Sequence, residues 1–394
     1  MTFLGYERPN GSYGVRNYVL VIPGGYVADQ ICHAVYGTKT ILTGQGPLPR
    51  PAGDRATFAR LYVGLALNPN VGAVIIDGAS QWLDTPEVLP EVLAEQVAKS
   101  GKRVEVLEPQ GVDTPSLVSN GVRLAREMTY EISKLRRKPC SEEHLAVGVK
   151  CGHSDPTSGM VGNPTVGYLY DKLVKAGGTA FFGETTEIIG AERVLAKRAS
   201  SKKVAEDLLR VTYEMEERAK STGEDMRTVN PVPSNIKAGI TTLEEKSLGA
   251  IHKAGSMPIR GVLKFAEQPG GKGLYFVDNS ASTLSIFLGY AAAGAQVVLY
   301  QLGGGGVRND EVFYETGSVV APFVWCSANP KTLRMGGFNL DFYSGTVIEG
   351  KETIEEAGER LYRTVIDVAS GTFTRTETLN HVDPNEVYMT QPVF

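Results

Sequence analysis

Residues 145–187 read LAVGVKCGHSDPTSGMVGNPTVGYLYDKLVKAGGTAFFGETTE, and the succession of patterns in this stretch decides the fold. Leu145–Lys150 is a short run of apolar and small residues, of strand length. It gives way to CGHSDPTSG, where Gly, Ser and Pro mark a loop. A helix is predicted within 163–176, and Thr179–Phe182 (TAFF) reads as a second strand. Strand, crossover helix and strand make a parallel pair, and ligands of parallel sheets sit at the carboxyl ends of the strands. Those ends carry Cys151, His153 and Asp155 on one loop and Glu184 and Glu187 on the next. Five metal-ligating or proton-carrying side chains thus fall within 37 residues.

The same alternation runs outward in both directions. Towards the amino terminus, NYVLVIPGG (17–25), VGAVIIDG (71–78) and Arg103–Leu107 read as buried strands, with helices over Asp54–Leu67, Glu87–Lys99 and Ser116–Leu135. The polar stretch RRKPCSEEHLA (136–146) is the expected boundary, giving an N-terminal α/β domain over 1–138 and a C-terminal one over 139–394. Towards the carboxyl terminus, Ile189–Lys220 reads as largely helical. Thr242 with Glu245 has capping-box spacing. Strands are predicted over Lys272–Asp278, Gln296–Leu302 and Pro322–Cys326, with helices over Leu284–Ala293 and Thr353–Gly371. The expected class is α/β: two Rossmann-like or flavodoxin-like domains with mostly parallel sheets.

Composition narrows the function classes. The chain has 394 residues, 42% hydrophobic and 21% charged, with a formal net charge of −4. That balance gives no reason to expect nucleic-acid or anionic-membrane binding. The basic run KLRRK (134–138) reads as the solvated end of a helix. No apolar run approaches the ~18 residues of a membrane span, and no secretory signal opens the chain. Four irregularly spaced cysteines do not form a disulfide framework and fit a reducing cytoplasm. A homodimer is the default oligomeric expectation.

His153, Asp155, Glu184 and Glu187 together offer nitrogen and oxygen donors suited to a divalent metal such as Fe(II), Mn or Mg. Cys151, Asp155, Glu184 and Lys246 are the candidate catalytic groups. Each also has a plainer reading. Cys151 suits a buried thiol, Asp155 a cap of its own turn, the two glutamates a helix N-terminal pair, and Lys246 an exposed helix turn. Gly303–Gly306 follows a strand and suits a backbone-amide anion cradle. Gly304, Gly305 and Arg308 there, with Ser154, Arg16 and Asn17 elsewhere, are the candidate substrate contacts. The tetrad lacks the spacing of a dinucleotide site. Cys32, Cys140, His33, His144, His252 and His381 read as structural.

Six ordered blocks resemble the altronate/galactarate dehydratase family, to which the large subunit of sulfolactate sulfo-lyase is related: NPNVGAVIIDG, CGHSDPTSGMVGNPTVG, ETTEIIGAE, AGITTLEEKSLGAIHKAG, AAAGAQVVL and TIEEAGERLY. The resemblance spans nearly the whole chain. It implies two α/β domains and metal-dependent β-elimination of water from a sugar-acid-like polyhydroxy carboxylate. Members of the family often carry a small flexible SAF-type domain bearing a histidine, either fused at the N-terminus or as a separate subunit, so the resemblance implies such a partner subunit or its loss. Cysteines usual in the family are replaced at Gln45, Ala79–Gln81 and Ala250, which disfavours a multi-thiolate metal site. The arginine usual in the block at 301–305 is absent. Two other readings accompany the hydro-lyase: a sulfo-lyase acting on a sulfolactate-like substrate, and a catalytically degenerate sugar-acid-binding or scaffold subunit.

Overall fold

The computed structural model describes residues 1–109, 111–305, 318–379 and 382–391. Two all-parallel sheets carry the fold. The first has four strands in the order Thr38–Thr40, Tyr18–Ile22, Val71–Asp77 and Arg103–Leu107. The second has seven, in the order Ile259–Leu263, Gly273–Val277, Thr179–Gly183, Ala146–Gly152, Val297–Leu302, Phe323–Ser327 and Phe342–Tyr343. The α/β class read from the alternation is the class observed. The central strands Ala146–Gly152 and Val297–Leu302 are buried almost throughout, as strands covered on both faces must be. Helix Thr114–Ile132 buries Leu117, Gly121, Ala125, Met128 and Ile132, one stripe at helical spacing, against Val19, Val21 and Ile75 of the first sheet.

A third, antiparallel sheet was not signalled by that alternation. Strand Thr2–Glu7 pairs with Tyr13–Gly14 on one edge and with Lys138–Ser141 on the other. The latter strand crosses the expected boundary. The end of the chain also returns to the first sheet's unit, where the Asn385 amide donates to Leu42 O at 2.5 Å and the Val387 amide to Gln45 Oε1 at 2.6 Å. All four cysteines are free thiols. Among the described residues no helix is long and apolar enough to cross a membrane.

Strand order places the site. The chain lays down Ala146–Gly152, winds to one side through Thr179–Gly183, and later continues on the other side with Val297–Leu302. The crossovers therefore diverge at the carboxyl end of Ala146–Gly152 and leave a crevice there. Residues 150–155 occupy that point.

Candidate active site

The CGHSD segment begins inside its strand, since Lys150, Cys151 and Gly152 all lie on Ala146–Gly152. Gly152 has no room for a side chain: a Cβ there would lie 2.4 Å from the Tyr300 hydroxyl. The next residue, His153, has φ 48°, and across the sheet Glu184 has φ 71°. Each left-handed turn costs a non-glycine residue on the order of 1–3 kcal/mol, a penalty that clusters at functional sites. Five residues on, Ser158–Gly162 forms a π-turn, another feature enriched at such sites.

Adjacent parallel strands bring the two acidic loops together, and what they meet is lysine. Glu184 is fully buried. Its Oε1 lies 3.1 Å from Lys150 Nζ, and its Oε2 accepts from the Cys151 amide at 3.0 Å and from Lys253 Nζ. Glu187 Oε1 lies 3.2 Å from Lys246 Nζ and its Oε2 3.5 Å from Lys253 Nζ. Lys246 also donates to Asn230 Oδ1 at 2.9 Å. Burial alone would strip protons from Lys150 and Lys253, but the charges of Glu184 and Glu187 outweigh it and hold both ammonium groups above the usual lysine range. Burial opposes ionisation of Glu187 too, yet Lys246, Lys253 and Lys150 pull its carboxyl well below the usual range. Three ammonium groups against two carboxylates leave one excess positive charge. Cys151 sits beside it with its Sγ 3.3 Å from Ser154 Oγ, and burial with the Glu187 charge keeps it a thiol.

Buried polar atoms without a hydrogen-bond partner gather around this network. They include Asn163 Oδ1, Thr186 Oγ1, Asn235 Oδ1 and Ser247 Oγ. Asn163 donates to Gly249 O at 3.0 Å and lies 3.7 Å from Cys151 Sγ, and Asn235 donates to Ser154 O at 2.9 Å. Ser247 adjoins Lys246, and Thr186 lies between the site loop's Thr185 and Glu187. Burial leaves such atoms in want of a polar ligand.

Other expected site residues are used differently. The Asp155 carboxylate accepts from Thr157 Oγ1 (2.6 Å), the Ser158 amide (3.1 Å), the Gly304 amide (2.9 Å) and Asn329 Nδ2 (2.5 Å). It caps its own turn and staples the loop to the glycine segment. Nor do the described glycines of the run, Gly303, Gly304 and Gly305, form an open anion cradle. The Gly303 amide donates to Gly152 O (2.9 Å), that of Gly304 to Asp155, and that of Gly305 to His153 O (2.8 Å). A Cβ on Gly303 would lie 2.4 Å from His153 O, so the glycines exist to let the loop approach. Arg16 is buried and bidentate to Glu377 at 2.7 and 2.8 Å, with further bonds to Val15 O, Val368 O and Thr372 O. Asn17 bonds Arg8 and Ile132 O. Both residues tie the N-terminal segment to its surroundings, and all five Arg16 N–H donors are taken. Arg308, Gly306 and His381 lie outside the described residues.

The expected metal ligands do not fit a metal in this arrangement. Glu184 Oε1 and Glu187 Oε2 carry no hydrogen bond, but each lies within 3.5 Å of a lysine ammonium, and a divalent cation there would be opposed by three lysines. Asp155 is spent on its loop. Among the described residues, no group of three or more His, Cys, Asp or Glu side chains is placed to hold an ion. The metal content of the purified protein is therefore expected to be the same in Glu184→Gln and Glu187→Gln as in the wild type, by elemental analysis. A drop of one equivalent in either variant would restore the glutamates as ligands.

His153 stays close to the network but is held differently. Burial, then the Lys150 charge, push its imidazole down to about 4, so it is neutral at physiological pH. Lys150 and Lys253 were not singled out from the sequence. Lys150 left a trace, a charge at the end of an otherwise apolar strand. Lys253 left none beyond lying in the block that carries Lys246.

Residues 142–392 match the family profile described as D-galactarate/altronate dehydratase, C-terminal, and residues 5–133 the one described as D-galactarate dehydratase/altronate hydrolase, second domain. The chain is 35% identical over 391 residues to a (2R)-sulfolactate sulfo-lyase subunit beta of Chromohalobacter salexigens, covering 96% of this chain and 95% of that one. It is 32% identical over 312 residues to a galactarate dehydratase (L-threo-forming) of Escherichia coli, covering 78% of this chain but 58% of that one. An altronate dehydratase of Bacillus subtilis is 28% identical over 389 residues, with 95% and 75% covered.

Proposed function

The chain belongs to the D-galactarate/altronate dehydratase family of lyases, and on that premise we propose that it eliminates water from a polyhydroxy carboxylate of the sugar-acid type. The observation that carries this reading is the buried Lys150–Glu184–Lys253–Glu187–Lys246 network with its excess positive charge and its rim of unsatisfied polar atoms. A substrate carboxylate answers the charge, and substrate hydroxyls answer the side-chain oxygens of Asn163, Asn235, Thr186 and Ser247.

Elimination begins with loss of the proton on the carbon next to the carboxylate, which is weakly acidic. Fixed positive charge lowers that barrier by stabilising the enediolate that develops. Lys150 and Lys253 stay protonated and supply it. His153, neutral and on the same loop, accepts the proton. The carbon–oxygen bond at the next carbon then breaks, and the imidazolium returns the proton to the departing hydroxyl as water. The enol left behind tautomerises to a 2-keto acid. The Glu184 and Glu187 carboxylates keep the lysines in place.

A second reading has its own support. The sulfo-lyase subunit beta shares 35% identity with the chain over 391 residues, more than the 32% and 28% shared with the two dehydratases. In that reading sulfite leaves from a sulfolactate-like substrate and no proton is needed on the leaving group. A second, smaller subunit and a cytoplasmic location are part of either reading. Altronate, galactarate and sulfolactate, offered separately to the protein with and without its small partner, decide between them. Formation of a 2-keto-3-deoxy acid from a sugar acid, with no sulfite, is the expected result. Turnover of sulfolactate alone, with one sulfite per keto acid, would replace it with the second reading. No turnover of any of the three would return the chain to a binding or scaffold role.

A further inference from the structure

Glu184 is held in a left-handed turn (φ 71°, ψ 74°) with its carboxylate aimed at Lys150, Lys253 and the Cys151 amide. Relaxation into an ordinary backbone region would swing that carboxylate away, so something must resist it. The last ladder pair between strands Thr179–Gly183 and Gly273–Val277 is Gly183 with Val277. Beyond it, the neighbouring strand's continuation grips the residue after Glu184 three times. The Thr185 amide donates to Asn279 O at 3.0 Å, the Asn279 amide to Thr185 Oγ1 at 3.2 Å, and Thr185 Oγ1 to Asp278 Oδ1 at 2.6 Å. Thr185 and Asn279 are fully buried. Asn279 is itself fixed, its Oδ1 accepting from the Ser280 amide at 2.7 Å and from Ser285 Oγ at 3.0 Å.

We propose that Thr185 is a positioning residue, whose hydroxyl, clamped between Asp278 and Asn279, holds Glu184 in the strained conformation the lysine network requires. The proposal rests on reading that network as the reaction site only for its effect on turnover; the positioning itself is independent of it. A threonine fits because one hydroxyl donates and accepts at once. Valine keeps the shape and the backbone bond and removes both hydroxyl bonds.

The reporter is the Cys151 amide, whose hydrogen bond to Glu184 Oε2 exists only while Glu184 is in place. Hydrogen exchange at Cys151 is expected to accelerate at least about tenfold in Thr185→Val, as loss of a buried hydrogen bond to a charged group implies, while Val147 and Val149 on the same strand keep their protection. Thr185→Ser, which retains the hydroxyl, should behave as wild type. On whichever of altronate, galactarate or sulfolactate is turned over, kcat should fall about 10- to 100-fold in Thr185→Val with KM little changed, and recover in Thr185→Ser. Unchanged exchange at Cys151 in a folded Thr185→Val protein would overturn the clamp, whatever its activity. Equal acceleration at Cys151, Val147 and Val149 would also overturn it, since that marks general loosening. A clamp confirmed by exchange, with turnover unaffected, would leave the clamp standing and remove the network from the reaction.

Discussion

Replacing Lys253 by methionine is expected to cost about 3–5 kcal/mol of stability, because it removes one partner of a buried ion cluster and leaves the others in place. Lys253 contacts both carboxylates, reaching Glu184 Oε2 and lying 3.5 Å from Glu187 Oε2. Its own side chain is 2% exposed and that of Glu184 is wholly buried, so water cannot replace the lost charge. Methionine matches the stem in volume, which leaves packing nearly constant and isolates the electrostatic effect. Urea unfolding, read as a shift of midpoint at constant slope, measures it. The double variant Lys253→Met/Glu184→Gln should recover a good part of the loss, since a neutral amide no longer demands an ammonium neighbour. A single-variant loss under about 1 kcal/mol is what a hydrated, surface-like pair would give, and would contradict the burial of the cluster.

How such a cluster escapes a reading of sequence is instructive. The fold was legible wherever one segment decides its own structure. Arg103–Leu107 forms a strand over the expected residues, and the two segments expected to end in the acidic loops, around 145–150 and 179–182, are neighbouring parallel strands, although Cys151 lies within its strand rather than on the loop after it. Convergence of the two acidic loops therefore followed from topology. Their partners did not, because Lys253 is 69 residues from Glu184 and arrives on a short helical turn with no periodic signal. Carboxylates clustered in sequence look like metal ligands until the cations that neutralise them are located.

The glycine run after Val297–Leu302 posed the converse difficulty. Glycines mark a close backbone approach, but not which backbone approaches. The amides that an anion would have used are taken by Gly152, His153 and Asp155. Arg16 and Asn17 are polar residues beside a strand, and only the fold reveals that Glu377, 361 residues away, already grips the arginine. Asp155 is the case where the plainer reading of a turn-capping carboxylate matches its hydrogen bonds. The antiparallel pairing of Thr2–Glu7 with Lys138–Ser141 joins segments too far apart for any local pattern to announce.

Replacing His153 by asparagine is expected to lower kcat by about 10²- to 10⁴-fold, the range supplied by a positioned acid–base group. Asparagine is the informative choice because it tolerates the left-handed backbone that His153 adopts at φ 48°, so the loop is not strained further. An alanine there would confound loss of the base with loss of the turn. The sign of the pH dependence follows from the depressed imidazole. Burial and then Lys150 push it down to about 4, and only the neutral form accepts a proton. The rate should therefore hold as pH falls through 6.5, where an unperturbed histidine would titrate, and be lost only as pH falls through about 4. That limb belongs to kcat/KM, which reports the free protein. Once the substrate carboxylate is bound its negative charge offsets the repulsion from Lys150, so the limb in kcat should lie at higher pH than the limb in kcat/KM. In His153→Asn both limbs should vanish. An acid limb near 6.5 that survives in this variant would assign proton transfer to another group and leave His153 as a loop residue.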